Sequence, residues 1–442
     1  MPKKVHIATY GCQMNDYESD RAYRMLAEDG AYHRTDDPAE ADLFLFNTCS
    51  VREKADQKAL SEIGTLRALK AERPEMLIAV GGCLSQSMGA EIQERFPFVD
   101  IVFGTHQWGK LSEMIRRAGE ERTKLLEIDL YGCKNYTFLP YRHVKAPHPV
   151  AELVTVQNGC DKFCTFCLVP FTRGRQVSRP HGDVIAEIGH LTDQGVREVT
   201  LLGQNVNAYG EDRSGEIRFG DLLREVCRIP ALDRVRFVTS HPSNLSTELI
   251  DRMAGEEKVC KHLHLPVQSG SDPVLERMKR EYTVDQYRHL AEELRSKIPG
   301  ISITTDFIVG FPGETDADFE RTLALLREVE FEDSFSFKYS PRAHTKAAGW
   351  EADFIPTPTA DERLARLQTL QTQIRRNKQE DLLGQQAAIL IEGSAKKGSG
   401  MLTGRTSQNR WVNFPGPSDW IGTRKVVRIT ESLSNSFRGI AL

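Results

Sequence analysis

The chain has 442 residues, of which 40% are hydrophobic and 27% charged, as is usual for soluble globular proteins. This length predicts two or three domains, and no apolar run reaches the roughly 18 residues that span a membrane. The net charge of −4 does not by itself indicate nucleic-acid binding. Nine cysteines, an odd number, are scattered along the chain. This argues against a disulfide framework and favours a cytoplasmic protein with reduced thiols.

Residues 1–130 are predicted to form an N-terminal domain built on an open parallel α/β sheet. Apolar runs of the buried parallel type occur at residues 5–9, 43–46 and 77–80, and they are separated by helical stretches rich in Ala, Glu, Lys and Arg. Strands that alternate with helices in this way are typical of βα units.

A cysteine follows each of these three predicted strands. The residues are Cys12, Cys49 and Cys83. Because the carboxyl ends of parallel strands meet at one edge of a sheet, the three thiols are predicted to be neighbours in space. They are interpreted either as the ligands of an iron–sulfur cluster or as small buried apolar residues.

Residues 131–150 are predicted to be a linker, because three prolines interrupt a basic and aromatic stretch. Residues 151–357 then contain six βα units, which predict a partial parallel barrel, two units short of a full eight-stranded barrel. The predicted strands are residues 153–157, 198–202, 235–239, 262–267, 301–309 and 334–339. Such a barrel is open on one side and can admit a large substrate.

Three closely spaced cysteines follow the first barrel strand in a Cys-x-x-x-Cys-x-x-Cys pattern. They are Cys160, Cys164 and Cys167. Three thiolates suit a [4Fe–4S] cluster in which one iron stays open for a small molecule. The alternative is a zinc-stabilised loop, but a structural zinc site needs four ligands and no second Cys-x-x-Cys is present.

The C-terminal part is predicted to hold a connecting helix at residues 358–380 and a small antiparallel β-barrel at residues 381–442. Thr359 and Glu362 have the spacing of a helix-capping box. Residues 381–442 contain eight basic and four acidic residues. This segment is therefore modestly basic, whereas the rest of the chain is acidic.

The cysteine motif at residues 160–167 resembles the signature of radical S-adenosylmethionine (SAM) enzymes, and further motifs narrow the resemblance to the radical SAM methylthiotransferases. The C-terminal module resembles the RNA-binding TRAM domain. The matching segments are residues 11–15, 47–55, 81–83, 202–207, 264–271, 308–315, 404–406 and 409–414. Within the family, Gly-Cys-Gln-Met-Asn at residues 11–15 resembles the branch that acts on N6-isopentenyladenosine in tRNA.

This resemblance implies that the protein adds a methylthio group to carbon 2 of N6-isopentenyladenosine at position 37 of tRNA. The carbon–hydrogen bond at that position is neither acidic nor polarised, so its cleavage calls for a radical. The family uses two [4Fe–4S] clusters, one SAM as methyl donor and a second SAM as the source of a 5′-deoxyadenosyl radical. A flavodoxin- or ferredoxin-like electron donor and a sulfur source are implied as partners.

Two alternatives remain open at this point. One is the same chemistry on threonylcarbamoyladenosine of tRNA or on a ribosomal protein side chain. The other is a non-catalytic RNA-binding module that holds zinc at its cysteines.

Further candidate site residues lie outside the two cysteine triplets. Gln204, Gln268 and Gly310 follow barrel strands and are predicted to contact SAM, although structural roles are equally compatible with their positions. The predicted tRNA-binding residues are Arg173, Arg175, Arg405, Arg410 and Trp411. One departure from the family pattern concerns residues 342–347, where His344 replaces an expected glycine. This replacement puts the local turn in question.

Overall fold

The computed structural model describes residues 2–50, 53–130, 136–141 and 149–442. Most of the predicted linker, and with it Cys133, lies outside these residues. Among the described helices, none combines the length and apolar character needed to cross a bilayer.

The N-terminal part is a six-stranded sheet in the order β2-β1-β3-β4-β5-β6, and every pairing is parallel. Its strands are β1 Lys3–Thr9, β2 Tyr32–Arg34, β3 Leu43–Thr48, β4 Leu77–Gly82, β5 Ile101–Phe103 and β6 Leu125–Glu127. Its helices are α1 Gln13–Leu26, α2 Glu53–Glu72, α3 Cys83–Met88, α4 Ala90–Arg95 and α5 Leu111–Glu121. Apolar clusters cover both faces of the sheet. Strand β3 is therefore buried along its whole length, as expected for a central parallel strand.

The central part contains six parallel strands that follow one another in chain order and form two three-stranded sheets. The strands are β7 Ala151–Thr155, β10 Glu198–Leu202, β11 Arg234–Val238, β12 His262–His264, β13 Ser302–Val309 and β14 Asp333–Lys338, with a short hairpin of β8 Gln157–Asn158 and β9 Val177–Ser178 after β7. The helices are α6 Val169–Thr172, α7 His181–Asp193, α8 Phe219–Cys227, α9 Thr247–Gly255, α10 Asp272–Arg277, α11 Val284–Lys297 and α12 Asp316–Val329. The largest core lies between these strands and helices.

Strand β12 is shorter than predicted, and proline explains the difference. It ends at His264, whereas the prediction extended it to residue 267. Pro266 has no backbone N–H to continue a ladder, and Gln268 adopts a φ of 71°. A single parallel bridge between Val235 and Val259 joins the two three-stranded sheets just before β12.

The C-terminal part is a long helix followed by a closed five-stranded barrel in the order β15-β16-β17-β19-β18. Its elements are α13 Thr357–Glu380, β15 Gln386–Ser394, β16 Met401–Arg405, β17 Trp411–Pro415, β18 Arg424–Ser432 and β19 Phe437–Ala441. The pairing of β17 with β19 is parallel, whereas the prediction was an antiparallel barrel. The predicted capping box at Thr359 was wrong, because α13 begins at Thr357 after Pro356 and no side chain caps it. The three-part α/β architecture itself is confirmed.

Candidate active site

The N-terminal cysteines converge at the carboxyl edge of the first sheet. Cys12 is exposed at the start of α1, whereas Cys49 and Cys83 are buried beyond β3 and β4. Gly11 has a φ of 128°, and a Cβ placed on it would lie 2.4 Å from Cys49 Cβ and 3.0 Å from Cys49 Sγ. Only glycine allows the first loop to approach the second this closely. Cys83 lies near enough to Cys12 for the charge of one thiolate to act on the other.

Asparagine side chains tie the first two of these loops together. Asn15 Nδ2 donates hydrogen bonds to Asn47 Oδ1 at 2.8 Å and to the Thr48 carbonyl at 3.1 Å. The Cys12 thiol donates to Asn15 Oδ1 at 3.3 Å, and Asn47 Nδ2 donates to the Asn15 carbonyl at 2.9 Å. All of these amides are buried. The asparagines next to Cys12 and Cys49 therefore fix the spacing of the cysteine-bearing loops.

The central cysteines lie in one loop, where backbone amides point at the sulfurs. The Lys162 N–H donates to Cys160 Sγ at 3.4 Å, and the Val169 N–H donates to Cys167 Sγ at 3.5 Å. Burial, together with the charge of the neighbouring thiolates, raises the pKa of Cys160 to about 11 and that of Cys167 to about 12. Positive charge bound beside these thiols would therefore favour their ionised form.

Arg280 is the cation nearest to this triplet, and the sequence analysis did not identify it. Its Nη1 donates to Cys164 Sγ at 3.5 Å, and its Nη2 donates to the Pro266 carbonyl at 2.7 Å. Its Nε donates to the Tyr282 hydroxyl at 2.9 Å. The guanidinium is thereby held in one orientation against Cys164. No local spacing links Arg280 to Cys164, so the sequence carried no signal for this contact.

Arg173 connects the two triplets. It follows helix α6 in the loop that carries Cys160, Cys164 and Cys167, yet it reaches into the N-terminal domain. Its guanidinium binds both carboxylate oxygens of Glu18, at 2.7 and 3.2 Å, and its charge acts on the Cys83 thiol. Burial raises the pKa of Cys83, and Arg173 opposes that rise.

Both triplets fit [4Fe–4S] clusters by the chemistry of their donors. Each supplies three sulfur ligands at the carboxyl edge of a parallel sheet, and amides or a guanidinium stand beside the sulfurs as in iron–sulfur proteins. In the part of the chain that the structure describes, no three His, Cys, Asp or Glu side chains are arranged to hold a single metal ion.

The three predicted SAM-contacting residues lie at carboxyl ends of barrel strands. Gln204 Oε1 accepts a hydrogen bond of 2.6 Å from the Gly159 N–H, directly before Cys160. Gln268 is buried beside β13, where its backbone bonds to Asp306 and Ile308. Gly310 has a φ of 67°, and a Cβ there would lie 2.8 Å from Ala360 Cβ. Close packing of α13 thus already requires glycine at 310.

Three of the five predicted tRNA-binding residues are paired with carboxylates of the protein itself, and their contact with tRNA stays a prediction. Arg173 is buried against Glu18. Arg405 binds Glu392 at 2.6 Å and Glu198 at 2.8 Å.

Arg410 makes a bidentate contact with Glu332, at 2.5 and 2.8 Å. Arg405 and Arg410 therefore dock the small barrel onto the amino ends of the central strands, and their charges are paired with carboxylates there. Arg175 and Trp411 are exposed and stay predictions.

The departure at residue 344 leaves the turn intact. His344 adopts a φ of 70°, the left-handed conformation that the expected glycine would supply, at a cost of about 1–2 kcal/mol. The Thr345 N–H still donates to the Arg342 carbonyl at 3.1 Å. Arg342 also binds Asp56 of α2 at 2.6 Å, so this loop holds the barrel against the N-terminal domain.

Glu18 is the second functional candidate that sequence reasoning missed. It lies on the face of α1 that also buries Met14, Tyr17 and Arg21. A carboxylate on the buried face of a helix requires a partner, and this was the available signal. The identity of that partner, 155 residues away along the chain, was not encoded locally.

Three family models match the chain in succession. Residues 4–104 match the model described as uncharacterized protein family UPF0004. Residues 154–326 match the radical SAM superfamily, and residues 381–442 match the TRAM domain.

A solved structure with a similar fold is a radical S-adenosylmethionine methyltransferase, TsrM, from Kitasatospora setae. Its TM-score is 0.58 at 16% identity, and the alignment covers 79% of this chain and 74% of that one. At this identity the likeness concerns the fold alone.

Relatives that align over the full length of the chain identify its branch of the radical SAM superfamily. The chain is 45% identical over 441 residues to a tRNA-2-methylthio-N(6)-dimethylallyladenosine synthase from Acidithiobacillus ferrooxidans, which covers 99% of this chain and 97% of the relative. A protein of the same name from Burkholderia mallei is 45% identical over 450 residues, with the same coverage. These matches favour neither the sister substrates nor the zinc-binding module. The chain belongs to the tRNA-2-methylthio-N(6)-dimethylallyladenosine synthase family of radical SAM proteins.

Proposed function

We propose that this protein is a radical SAM methylthiotransferase that adds a methylthio group to carbon 2 of N6-dimethylallyladenosine, also called isopentenyladenosine, at position 37 of tRNA. The observation that carries the proposal is the pair of cysteine triplets at the carboxyl edges of two adjoining parallel sheets, connected by Arg173. Methylthiolation of an unactivated carbon needs both a radical source and a sulfur source, and the chain offers one thiolate site for each.

The ligand assignment follows from this arrangement. We assign Cys160, Cys164 and Cys167 to the cluster that binds SAM, because they lie in the segment that matches the radical SAM superfamily and three protein ligands leave one iron free for SAM. Cys12, Cys49 and Cys83 hold the auxiliary cluster. When bound, the first cluster delivers an electron to SAM and the second provides the sulfur that is transferred.

The chain's own residues position these groups. Gln204, Gln268 and Gly310 follow the carboxyl ends of β10, β12 and β13, and we assign SAM contacts to the two glutamines and to the backbone at Gly310. Arg280 holds positive charge at Cys164. The contact of Gln204 with Gly159 supports its role, because it ties this side chain to the start of the cysteine loop.

We assign the tRNA contacts to exposed basic and aromatic residues. Lys396 and Lys397 lie exposed in the turn between β15 and β16, and Trp411 is 40% exposed with Arg405 over its ring at 5.1 Å. We assign phosphate contacts to the lysines and to Arg175. Because these contacts are electrostatic, binding is expected to weaken steeply with salt.

The remaining partners follow from the chemistry. Each SAM cleavage consumes one electron, so we propose a flavodoxin- or ferredoxin-like donor. Each turnover removes one sulfur, so a separate sulfur source must replace it. We place the reaction in the cytoplasm, in keeping with reduced cysteine thiols.

The direct test is mass spectrometry of tRNA nucleosides from cells that lack the gene, with and without a rescuing copy. We expect loss of the 2-methylthio nucleoside and accumulation of N6-dimethylallyladenosine, both reversed by the wild-type copy and not by a Cys83→Ala copy. Loss of methylthio-threonylcarbamoyladenosine instead would assign the sister substrate. Unchanged tRNA would refute a tRNA substrate altogether.

A further inference from the structure

The loop that carries the central triplet ends in a buried ion pair with the N-terminal domain, next to the other triplet. Arg173 and Glu18 have side-chain exposures of 3% and 1%. From this placement we infer that the Arg173–Glu18 pair sets the reduction potential of the cluster held by Cys12, Cys49 and Cys83. Arg173 raises that potential and Glu18 limits the rise. The inference rests on the proposed function, since it requires a cluster at the N-terminal triplet.

The geometry gives Arg173 three fixed contacts. Its Nη1 donates to Glu18 Oε1 at 2.7 Å and to Asn158 Oδ1 at 3.1 Å, and its Nη2 donates to Glu18 Oε2 at 3.2 Å. The Asn158 amide donates in turn to the Arg173 carbonyl at 3.1 Å. The guanidinium is therefore held in one orientation by groups on both domains.

This charge acts on the cysteine ligands themselves. Helix α6, which ends just before Arg173, packs against α3, which begins at Cys83, and the guanidinium charge acts on both Cys83 and Cys12. Burial alone would lower the pKa of Arg173, but Cys83 and Glu18 outweigh burial and raise it well above its ordinary value. Arg173 thus stays charged in a site where little water screens it.

Net charge and hydrogen bonds to the sulfurs are main determinants of iron–sulfur potentials. A buried cation beside the ligands stabilises the reduced, more negative cluster and raises its potential. The Glu18 carboxylate neutralises part of that charge. Removing one partner at a time should therefore shift the potential in opposite directions, which a purely structural pair would not do.

The experiment uses the full chain carrying C160A/C164A/C167A, so that only the auxiliary cluster is present. After anaerobic reconstitution, its midpoint potential is measured by a redox titration followed by electron paramagnetic resonance. In this background Arg173→Gln should shift the potential to more negative values and Glu18→Gln to more positive values. The double variant R173Q/E18Q should lie between them, and Arg173→Lys should shift less than Arg173→Gln.

Arg21 supplies the matched control. It forms a second buried ion pair between the domains, with Glu187 at 2.6 Å, and its side chain is 0% exposed. Its charged neighbours are Glu187 and Asp20. Arg21→Gln should disturb the domain interface as much as Arg173→Gln does, yet leave the potential unchanged.

Two results would overturn the inference: shifts of the same sign in R173Q and E18Q, or a shift in R173Q no larger than in R21Q. The neutral double variant and R173K keep the test valid should one single variant not fold. Iron analysis distinguishes a failure of this inference about the reduction potential from a failure of the proposed function. If the triple-cysteine background binds no iron, the auxiliary cluster itself is refuted.

Discussion

The two cysteine triplets differ in how they are assembled. Cys160, Cys164 and Cys167 share one loop between β8 and α6, and backbone amides of the same loop bond to their sulfurs. Cys12, Cys49 and Cys83 come from three separate strand ends, and buried asparagines and Gly11 hold two of those ends together. The first triplet is thus a local motif, whereas the second exists only once the sheet has formed.

The difference extends to their electrostatics. The central triplet has Arg280, which is bonded to neutral oxygens, whereas the N-terminal triplet has Arg173, which is paired with Glu18. A cation without a counter-charge raises a cluster potential more than a neutralised one. The two triplets therefore lie in different electrostatic surroundings, with an uncompensated cation at the central triplet and a neutralised one at the N-terminal triplet.

The sharpest way to separate the triplets is to remove one ligand from each. Cys83→Ala should abolish methylthiolation while 5′-deoxyadenosine is still formed from SAM. Cys164→Ala should abolish both. Chromatography of the two products measures this, and Cys227→Ala, in the core helix α8, is the control. Full methylthiolation in Cys83→Ala would contradict the role of the N-terminal triplet.

Because the N-terminal triplet depends on tertiary structure, Gly11→Ala should reduce methylthiolation nearly as much as Cys83→Ala does. The new Cβ would meet Cys49 Cβ at 2.4 Å at a φ of 128°, so the two loops must separate. The auxiliary cluster should be lost and the central cluster kept, as measured by iron content. Gly30→Ala is the control, because its φ is 72° and no atom lies within 4 Å of the added Cβ. Equal iron in both variants would contradict this account.

The charge at the central triplet is tested by Arg280→Gln. A hydrogen bond to a charged group contributes about 1.5–3 kcal/mol, so the central triplet should bind its cluster more weakly, and the rate of SAM cleavage per chain should fall by up to roughly 10- to 100-fold. Arg280→Lys should recover part of that rate. Stopped reactions that quantify 5′-deoxyadenosine measure the effect, and an unchanged rate in Arg280→Gln would show that the contact with Cys164 has no electrostatic role.

A different kind of effect is expected at the docked small barrel, far from both triplets. Glu198 contacts Arg236 at 2.7 Å and Arg405 at 2.8 Å. Burial raises the pKa of Glu198, but these arginines outweigh burial and lower it below 4.5. Its stabilisation is therefore complete above about pH 4.5 and is lost as the pH falls through the folded-state pKa.

Glu198→Gln should accordingly lower the unfolding free energy at neutral pH by about 3–5 kcal/mol and flatten its pH dependence below about pH 5. Thermal unfolding at several pH values measures both effects. The iron content should not change. Equal unfolding free energies of the variant and the wild type at pH 7 would show that the ion pairs of Glu198 with Arg236 and Arg405 do not hold the domains together.

The smallest effect is expected at the exposed lysines. Lys396→Gln with Lys397→Gln should leave stability and iron content unchanged and weaken tRNA binding at low salt. Each lost phosphate contact should reduce the slope of log K against log salt by about 0.7–0.9. Filter binding at four salt concentrations measures the slope. A slope identical to that of the wild type would remove these lysines from the interface.

Short-range patterns in the sequence were sufficient to predict the features that depend on neighbouring residues. The spacing of the central cysteines, the alternation of strands and helices, and the cysteine after each N-terminal strand predicted the three-part fold and the convergence of Cys12 and Cys49. Thr315 and Asp318 form a capping box at the start of α12, and its spacing of three residues is a local pattern of the same kind.

Long-range pairings could not be obtained in this way. Arg405 and Arg410 looked like phosphate ligands because the C-terminal module is basic, but a charge count does not reveal that Glu198 and Glu332 lie opposite them. The pairs Arg280–Cys164 and Arg173–Glu18 also join residues more than 100 positions apart. Such contacts are set by the tertiary packing within the barrel and by the docking of one part on another, which no spacing rule encodes.

The central claim is that two separate triplets each hold a [4Fe–4S] cluster, and iron and sulfide analysis of three reconstituted proteins tests it most directly. The wild type should contain about eight irons per chain. C160A/C164A/C167A and C12A/C49A/C83A should each contain about four. Each variant should show the electron paramagnetic resonance spectrum of the one cluster that the other variant has lost. About four irons in the wild type, or loss of all iron in one triple variant alone, would contradict the account.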